Sequence, residues 1–383
     1  MRYFDYAATT PIDAEALEVY FEASKTFFGN ASSLHDEGTR AQNLLNACRT
    51  ELADLVGTSF DRVIFTSGGS ESNSLAIHTL LKGQPDSKRV IISSGTEHSS
   101  IAGTLTSLED KGYKVLNARH DGDGRVNTAH FSELLKRDDI ALVTIQHVNP
   151  EIGCIQPLAE LRRLMGNHSA PLHVDAVQSF GKLDLTDAVT AADSLSISAH
   201  KIYGPKGIGA LIFPRTLPAP LTQGAHEFGY RQGTVNVPAI ASFITAAKKA
   251  MAARDQQLET FKSLREQFIS ELDQGEIDFE VYQSASQAPY IVGLAFPGIQ
   301  GQYMMLELNR RGFAISTGSA CQIGSQKPSK TMKAIGRTDS GARELIRISF
   351  GRDTLSPDIR ALSEALIDTA SGLQQEIIIS GQL

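Results

Sequence analysis

The stretch Ser194-Leu-Ser-Ile197, continued by Ser198-Ala199-His200-Lys201 and then Ile-Tyr-Gly-Pro-Lys-Gly-Ile-Gly at 202–209, reads as a short buried strand running into a glycine- and proline-rich loop. It delivers a hydroxyl, an imidazole and an amine where strand becomes loop. A lysine in that position is either a solvated loop charge or a functional amine, and lysines are mostly exposed. Upstream, Leu172–Val174 reads as a second short apolar strand, containing His173, ending in Asp175 and followed three residues later by Gln178. If both strands lie in one parallel sheet, their C-terminal ends place a carboxylate and a lysine in the crevice where open α/β sheets bind ligands.

Working outward, the segments from residue 14 to about 250 alternate in type. Strand-like runs at 62–65, 89–93, 114–118, 141–146, 172–174 and 194–197 are separated by helix-like stretches such as 74–81, 131–136 and 158–165. Such alternation predicts a doubly wound, mostly parallel sheet with right-handed crossovers, that is, an α/β fold. Residues 238–274 form a long helical stretch without internal glycine or proline that leaves the first domain for a second. There the pattern repeats on a smaller scale: strand 291–296, helix 302–311, strand 313–316, helix 329–335, strand 345–349, and a helix opened by Ser356-Pro357-Asp358. The expected organisation is a large domain over 15–250 and a smaller α+β domain over 251–383.

Asp175 with Lys201 fits two arrangements, a structural ion pair or a pyridoxal-phosphate site. In the second, lysine forms a Schiff base and the carboxylate keeps the pyridine nitrogen protonated. A phosphate site is the needed companion. The run Thr66-Ser-Gly-Gly-Ser-Glu-Ser-Asn73 passes from a strand into a helix, so small residues, Gly69 and Ser70 among them, open a helix whose N–H groups can meet an anion. An ordinary capped turn is the alternative. The run is neither the spaced-glycine dinucleotide pattern nor a Walker loop.

A chain of 383 residues, 41% hydrophobic with net charge -7, is long enough for two cores, and it shows no basic stripe or aromatic-basic interleaving for nucleic acid. It carries no basic-then-apolar leader and no apolar run of about 20 residues, so the expectation is a cytoplasmic protein without membrane contact. Cys48, Cys154 and Cys321 lie far apart with no CxxC, which gives neither a disulfide framework nor a zinc site, and no resident metal is expected. Cys48 and Cys154 read as packing residues. Cys321 sits among small and polar residues, Ser316-Thr-Gly-Ser-Ala-Cys321-Gln-Ile-Gly-Ser-Gln-Lys-Pro328, a loop setting in which an exposed cysteine calls for a chemical reason.

These segments, with Phe4-Asp-Tyr-Ala-Ala-Thr-Thr10, Phe28-Gly-Asn30, Thr96-Glu-His98, His147-Val-Asn-Pro-Glu-Ile-Gly153, Arg231-Gln-Gly-Thr234 and Arg347-Ile-Ser-Phe-Gly-Arg352, resemble the cysteine desulfurases of the class V aminotransferase group, fold type I pyridoxal-phosphate enzymes. The resemblance covers nearly the whole chain and also assigns residues 1–14 to the small domain. It implies conversion of L-cysteine to L-alanine. Lys201 is the Schiff-base lysine and proton carrier, Asp175 pairs with the pyridine nitrogen, and Gln178 bonds the phenolic oxygen. His98 stacks on the ring and carries protons, and Asn149 lies near the phenolic side and the substrate, although an Asn before Pro150 also suits a plain turn. The phosphate falls to Gly69, Ser70, Ser198 and His200, with Thr234 reaching in from the second subunit of a homodimer.

Arg347 suits the substrate α-carboxylate, which a planar guanidinium grips bidentately; a salt bridge between the domains is the simpler alternative. Cys321, as a thiolate, would take the substrate sulfur as a persulfide and pass it to a protein acceptor for iron–sulfur cluster, thio-cofactor or tRNA synthesis. The same thiol could ligate such a cluster in passing. The loop resembles the long-loop group of the family. Ala31, Gly69-Ser70 and Gln223-Gly-Ala-His226-Glu227 depart from the family's usual residues, and Gln322 and Lys327 leave the acceptor open. Rival readings are a class V aminotransferase acting on another amino acid, a selenocysteine lyase, and an inactive partner-binding module.

Overall fold

The structure is a computed structural model that describes residues 1–222, 226–318 and 328–380, with side chains through Leu373. In chain order its elements are β1 (Arg2–Tyr3), α1 (Ala14–Thr26), α2 (Asp36–Val56), β2 (Val63–Thr66), α3 (Gly69–Lys82), β3 (Val90–Ser93), α4 (Ser99–Glu109) and β4 (Lys114–Asn117). Then come α5 (Thr128–Leu134), β5 (Ile140–Gln146), α6 (Leu158–Met165), β6 (Leu172–Asp175), α7 (Thr186–Ala191), β7 (Ser194–Ser198), β8 (Gly209–Ile212) and α8 (Val237–Gln274). The chain closes with β9 (Glu280–Tyr282), β10 (Ile291–Ala295), α9 (Gly301–Arg310), β11 (Phe313–Ala314), β12 (Ser316–Thr317), α10 (Lys330–Ala334), β13 (Leu345–Ser349) and α11 (Ser356–Ser380).

Seven strands make the main sheet in the order β2-β8-β7-β6-β5-β3-β4. Every residue of β5, β6 and β7 is buried, as expected of strands covered by helices on both faces; β5 reads as an apolar run, while β6 and β7 alternate apolar residues with buried Ser, His and Asp. The sheet is parallel from β7 through β6, β5 and β3 to β4. β8 runs antiparallel to both β7 and β2. It is the strand that the Gly/Pro-rich reading of 202–209 did not foresee, because its four residues, Gly-Ala-Leu-Ile, follow that loop directly.

The 38-residue α8, about 57 Å long at 1.5 Å per residue, joins two cores. Its first turns, Val237 to Ala247, pack into the apolar layer under the main sheet, while Phe261, Leu264, Phe268 and Leu272 pack into a second core with β10, β13 and α11. A four-stranded antiparallel sheet, β12-β13-β10-β9, backs that second core. The N-terminus joins it too: β1 pairs with β11, and Phe4 and Ala7 are buried there. The stretch 313–316, read as one strand, is broken at Ile315 into β11 and β12, which serve different sheets. No described helix is long and apolar enough to cross a membrane.

Candidate active site

Three features converge where β2 ends, α3 begins and β7 gives way to Lys201. α3 starts at Gly69, five residues before the start expected from its apolar pattern, so Gly69 and Ser70 lie in its first turn, where N–H groups have no helical partner. A cavity of about 290 Å³ opens there, walled by Gly68, Gly69, Ser70, Ser198, His200 and Lys206. Ser198 Oγ is buried without a hydrogen-bond partner. The glycines are needed: a Cβ on Gly69 would lie 2.6 Å from Val177 Cγ2, and one on Gly209 would lie 2.7 Å from Gly68 Cα. Gly68 itself has φ +145°, which L side chains rarely adopt. An orphan hydroxyl, a lysine and a helix N-terminus around one cavity fit a phosphate. Glu71, also at the rim, stays ionised, since despite burial hydrogen bonds from Ser67 and Arg231 hold its carboxyl below the usual range, and its charge is paired with Arg231 at 2.7 Å.

Beyond this cradle, Asp175 ends β6 buried, taking the Val177 N–H at 2.9 Å and the Asn73 amide at 2.8 Å. Lys201 follows β7 in a single 3-10 turn, and its Nζ donates to the carbonyls of Ala7 at 2.6 Å and Ala8 at 2.7 Å. Gln178 Nε2 donates to the same Ala7 carbonyl at 2.9 Å. Lys182 Nζ lies 3.5 Å from Gln178 Oε1 and 5.0 Å from the centre of the Tyr290 ring. Burial first, then Lys201 and Arg347, pushes the Lys182 amine down to about 7. His200 lies 3.1 Å from Thr9 Oγ1, and burial followed by the charges of Lys201 and Lys182 pushes its ring down to about 4, so it is neutral at pH 7.

On the small-domain side, Arg347 Nη2 pairs with Asp5 Oδ1 at 2.6 Å and Nη1 donates to the Pro150 carbonyl at 2.9 Å, while the buried Nε has no partner. The salt bridge therefore lies within the small domain, to its N-terminal segment, while the contact to the large domain is the hydrogen bond to the Pro150 carbonyl; one N–H of the guanidinium stays unspent. β12 pairs with β13 such that Ser316 lies opposite Arg347, so the segment leading to Cys321 leaves from beside that guanidinium. On its far side, Ser329 donates to Glu151, and Asn149 Nδ2 donates to Thr331 Oγ1 at 3.0 Å. Asn149 Oδ1 takes the N–H groups of Glu151 and Ile152, so both its polar atoms hold the turn 149–152 and fasten α10 to it.

The profile of the family described as Aminotransferase class-V matches residues 2–362. The chain belongs to that family. It is 42% identical over 94% of its length, and 93% of the relative's, to a putative cysteine desulfurase NifS of Bacillus subtilis (strain 168). It is 35% identical, over 97% of its length and 93% of the relative's, to a cysteine desulfurase IscS of Anaeromyxobacter sp. (strain Fw109-5). Among solved structures, a NifS-like protein superimposes with TM-score 0.89 at 29% identity, covering 97% of this chain and 100% of that one. SspA in complex with cysteine superimposes with TM-score 0.78 at 32% identity, covering 91% of this chain and 99% of that one.

In this class V chain Gly69, Ser70, Ser198 and His200 wall one cavity, Lys201 and Gln178 share the Ala7 carbonyl, Asp175 ends β6 beside β7, and His98 caps α4. Thr234 is exposed in the segment before α8, three residues from Arg231, which is fastened to Glu71 at 2.7 Å. Cys321 lies outside the described residues. Cys48 and Cys154 are buried, and burial pushes each thiol up to about 12, which suits inert packing residues. Residues that the sequence reading passed over are Asn73, Ser100, Asp5, Lys182 and Glu151. Asn73 had a signal: it shares a helical stripe with Ala76, Ile77 and Leu80, and an amide on a buried apolar stripe must find partners.

Proposed function

We infer that the chain is a pyridoxal-phosphate-dependent cysteine desulfurase of the NifS/IscS type, which takes sulfur from L-cysteine, releases L-alanine and holds the sulfur on Cys321 for an acceptor protein. The observation that carries this reading is the orphan Ser198 hydroxyl at a cavity walled by the start of α3, His200 and Lys206, with Asp175 at the end of the neighbouring β6 and Lys201 one turn beyond β7, in a chain homologous over nearly its whole length to cysteine desulfurases. Class V enzymes depend on pyridoxal phosphate, and the cavity, the helix N-terminus and the Asp175 carboxylate suit its phosphate and its pyridine nitrogen.

When bound, that group supplies an electron sink that stabilises the negative charge left when the substrate's Cα proton is removed. Gly69, Ser70, Ser198 and His200 hold its phosphate, and Thr234 of a second copy completes that site. Arg347 holds the substrate carboxylate through its unspent Nε–H. Lys201 Nζ takes the Cα proton and returns one after the sulfur has gone. Cys321, as thiolate, forms an S–S bond with the substrate sulfur while the substrate's C–S bond breaks and its electron pair stays with the carbon fragment. Protonation of that fragment, through Lys201 or His98, gives alanine. With domains at 15–250 and at 1–14 with 251–383, the cofactor residues belong to the first and Arg347 and Cys321 to the second. Acceptors that build iron–sulfur clusters, thio-cofactors or thiolated tRNA fit this output.

Purified holoprotein given L-cysteine and a thiol reductant releases alanine and sulfide in equal amounts on this reading. Transfer of the amino group to a 2-oxo acid, without sulfide, would overturn it.

A further inference from the structure

We propose that Asn73 and Ser100 are positioning residues that tie the Asp175 carboxylate to the His98 ring and fix the nitrogen on which His98 carries its proton. The inference deepens the proposed function and rests on its reading that Asp175 and His98 both face the cofactor.

Six contacts carry it. Asp175, as the carboxylate which that function needs, only accepts, so the group 2.8 Å from its Oδ2 is an amide N–H of Asn73. This sets the orientation of the Asn73 side chain. Its Oδ1 then faces His173 Nε2 at 3.0 Å, which must donate. Burial pushes the His173 ring down to about 4, so the ring is neutral and its Nδ1 accepts from Ser194 Oγ at 2.8 Å.

The second amide hydrogen of Asn73 goes to Ser100 Oγ at 3.0 Å. A hydroxyl accepting there has one proton to give, and His98 Nδ1 lies 2.8 Å away to receive it. The backbone N–H of Ser100 meets the same Nδ1 at 3.2 Å. Two donors converging on Nδ1 leave it the lone pair and place the ring proton on Nε2. Every donor from Ser194 through His173 and Asn73 to Ser100 then meets an acceptor, with Asp175 branching from the centre of the chain. Asn73 is 1% exposed, so an alternative orientation would set an amide N–H against the donating His173 or leave Asp175 facing a carbonyl with no water to compensate.

Because Ser100 is half-buried at the start of α4 and its backbone contact survives substitution, Ser100→Ala tests the idea without threatening the core. Nitrogen NMR of holoprotein labelled at histidine, with the His98 signals assigned by their loss in His98→Gln, reads the tautomer directly. Expected are a wild-type His98 with the proton on Nε2, a displaced His98 Nδ1 signal in Ser100→Ala with His173 unmoved, and restoration in Ser100→Thr. Asn73→Ala should displace both histidines. Alongside, Ser100→Ala should lower kcat roughly fivefold, the worth of about one hydrogen bond, and leave KM for cysteine unchanged. A wild-type ring protonated on Nδ1, or His98 signals untouched by Ser100→Ala, would overturn the proposal even if alanine release is normal. Absence of alanine release would instead sink the proposed function and leave the NMR result standing.

Discussion

Arg347 reaches across from β13 to place Nη2 2.6 Å from Asp5 Oδ1, a contact between residues 342 positions apart in the chain. It holds the N-terminal segment two residues before the Ala7 and Ala8 carbonyls that Lys201 grips. Asp5 and the Pro150 carbonyl hold the guanidinium plane and leave its Nε–H, which on the proposed function is oriented for a substrate carboxylate. Arg347→Lys keeps the charge and loses the fork. KM for cysteine should rise on the order of 10- to 100-fold, with a smaller change in kcat, since charged hydrogen bonds of this kind contribute about 1.5–3 kcal/mol. Steady-state kinetics check this, and an unchanged KM would remove Arg347 from substrate binding.

Glu97 sets a pH dependence. It is buried, accepts from Ser94 Oγ at 2.9 Å and Gln146 N at 3.1 Å, and its other oxygen has no partner. Burial first, then the neighbouring Asp175, pushes its carboxyl up from 4.5 to about 8. Between those values the folded chain holds a proton that the unfolded chain has lost. This contribution to stability is therefore fully present below the unfolded value and is lost as pH rises through the folded one. Glu97→Gln has no such titration, so its Tm relative to wild type should rise by on the order of 2 °C or more between mildly acidic and mildly alkaline buffer. Calorimetry in matched buffers reads the difference. A flat difference across that window would mean that Glu97 is ionised throughout.

Arg49 and Glu227 form a buried pair that pins the segment leading to Thr234. The Arg49 Nη2 to Glu227 Oε1 distance is 2.6 Å, the two side chains are 3% and 1% exposed, and the guanidinium lies 4.9 Å from the ring centres of both Phe65 and Phe228. Glu227 and Phe228 are held at φ 44° and 54°, conformations that such side chains seldom adopt. Glu227→Ala leaves a buried guanidinium without its anion and should cost about 3–5 kcal/mol of stability. The double variant Arg49→Met/Glu227→Leu should recover much of that loss. Denaturant unfolding of the three proteins measures both, and equal losses in the single and double variants would show that the cost does not come from a stranded charge.

How much of this was legible in the sequence depends on how local the signal is. β6 and β7 were readable from their closely spaced Leu, Val and Ile, and Lys201 and Asp175 because they follow or end those short strands. The phosphate loop was readable from its small residues, but the helix start was set five positions late, since Gly69 to Asn73 carry no apolar period until packing against the sheet is known. β8 was hidden behind a glycine-rich loop, and the break at Ile315 depends on which sheet each half joins. Asp5, Lys182 and Glu151 gain their roles from contacts across long sequence separations, such as Arg347 with Asp5 or Ser329 with Glu151, and no spacing rule reports those.

The most direct measurement of the central claim is the rate of alanine formation from L-cysteine by wild-type holoprotein and by Cys321→Ala, with both proteins confirmed yellow and the thiol-bound sulfur on each read by intact mass. The account predicts alanine and one added sulfur atom for wild type, and little alanine with no added sulfur for Cys321→Ala. Equal alanine rates, or an added sulfur that survives the substitution, would contradict it.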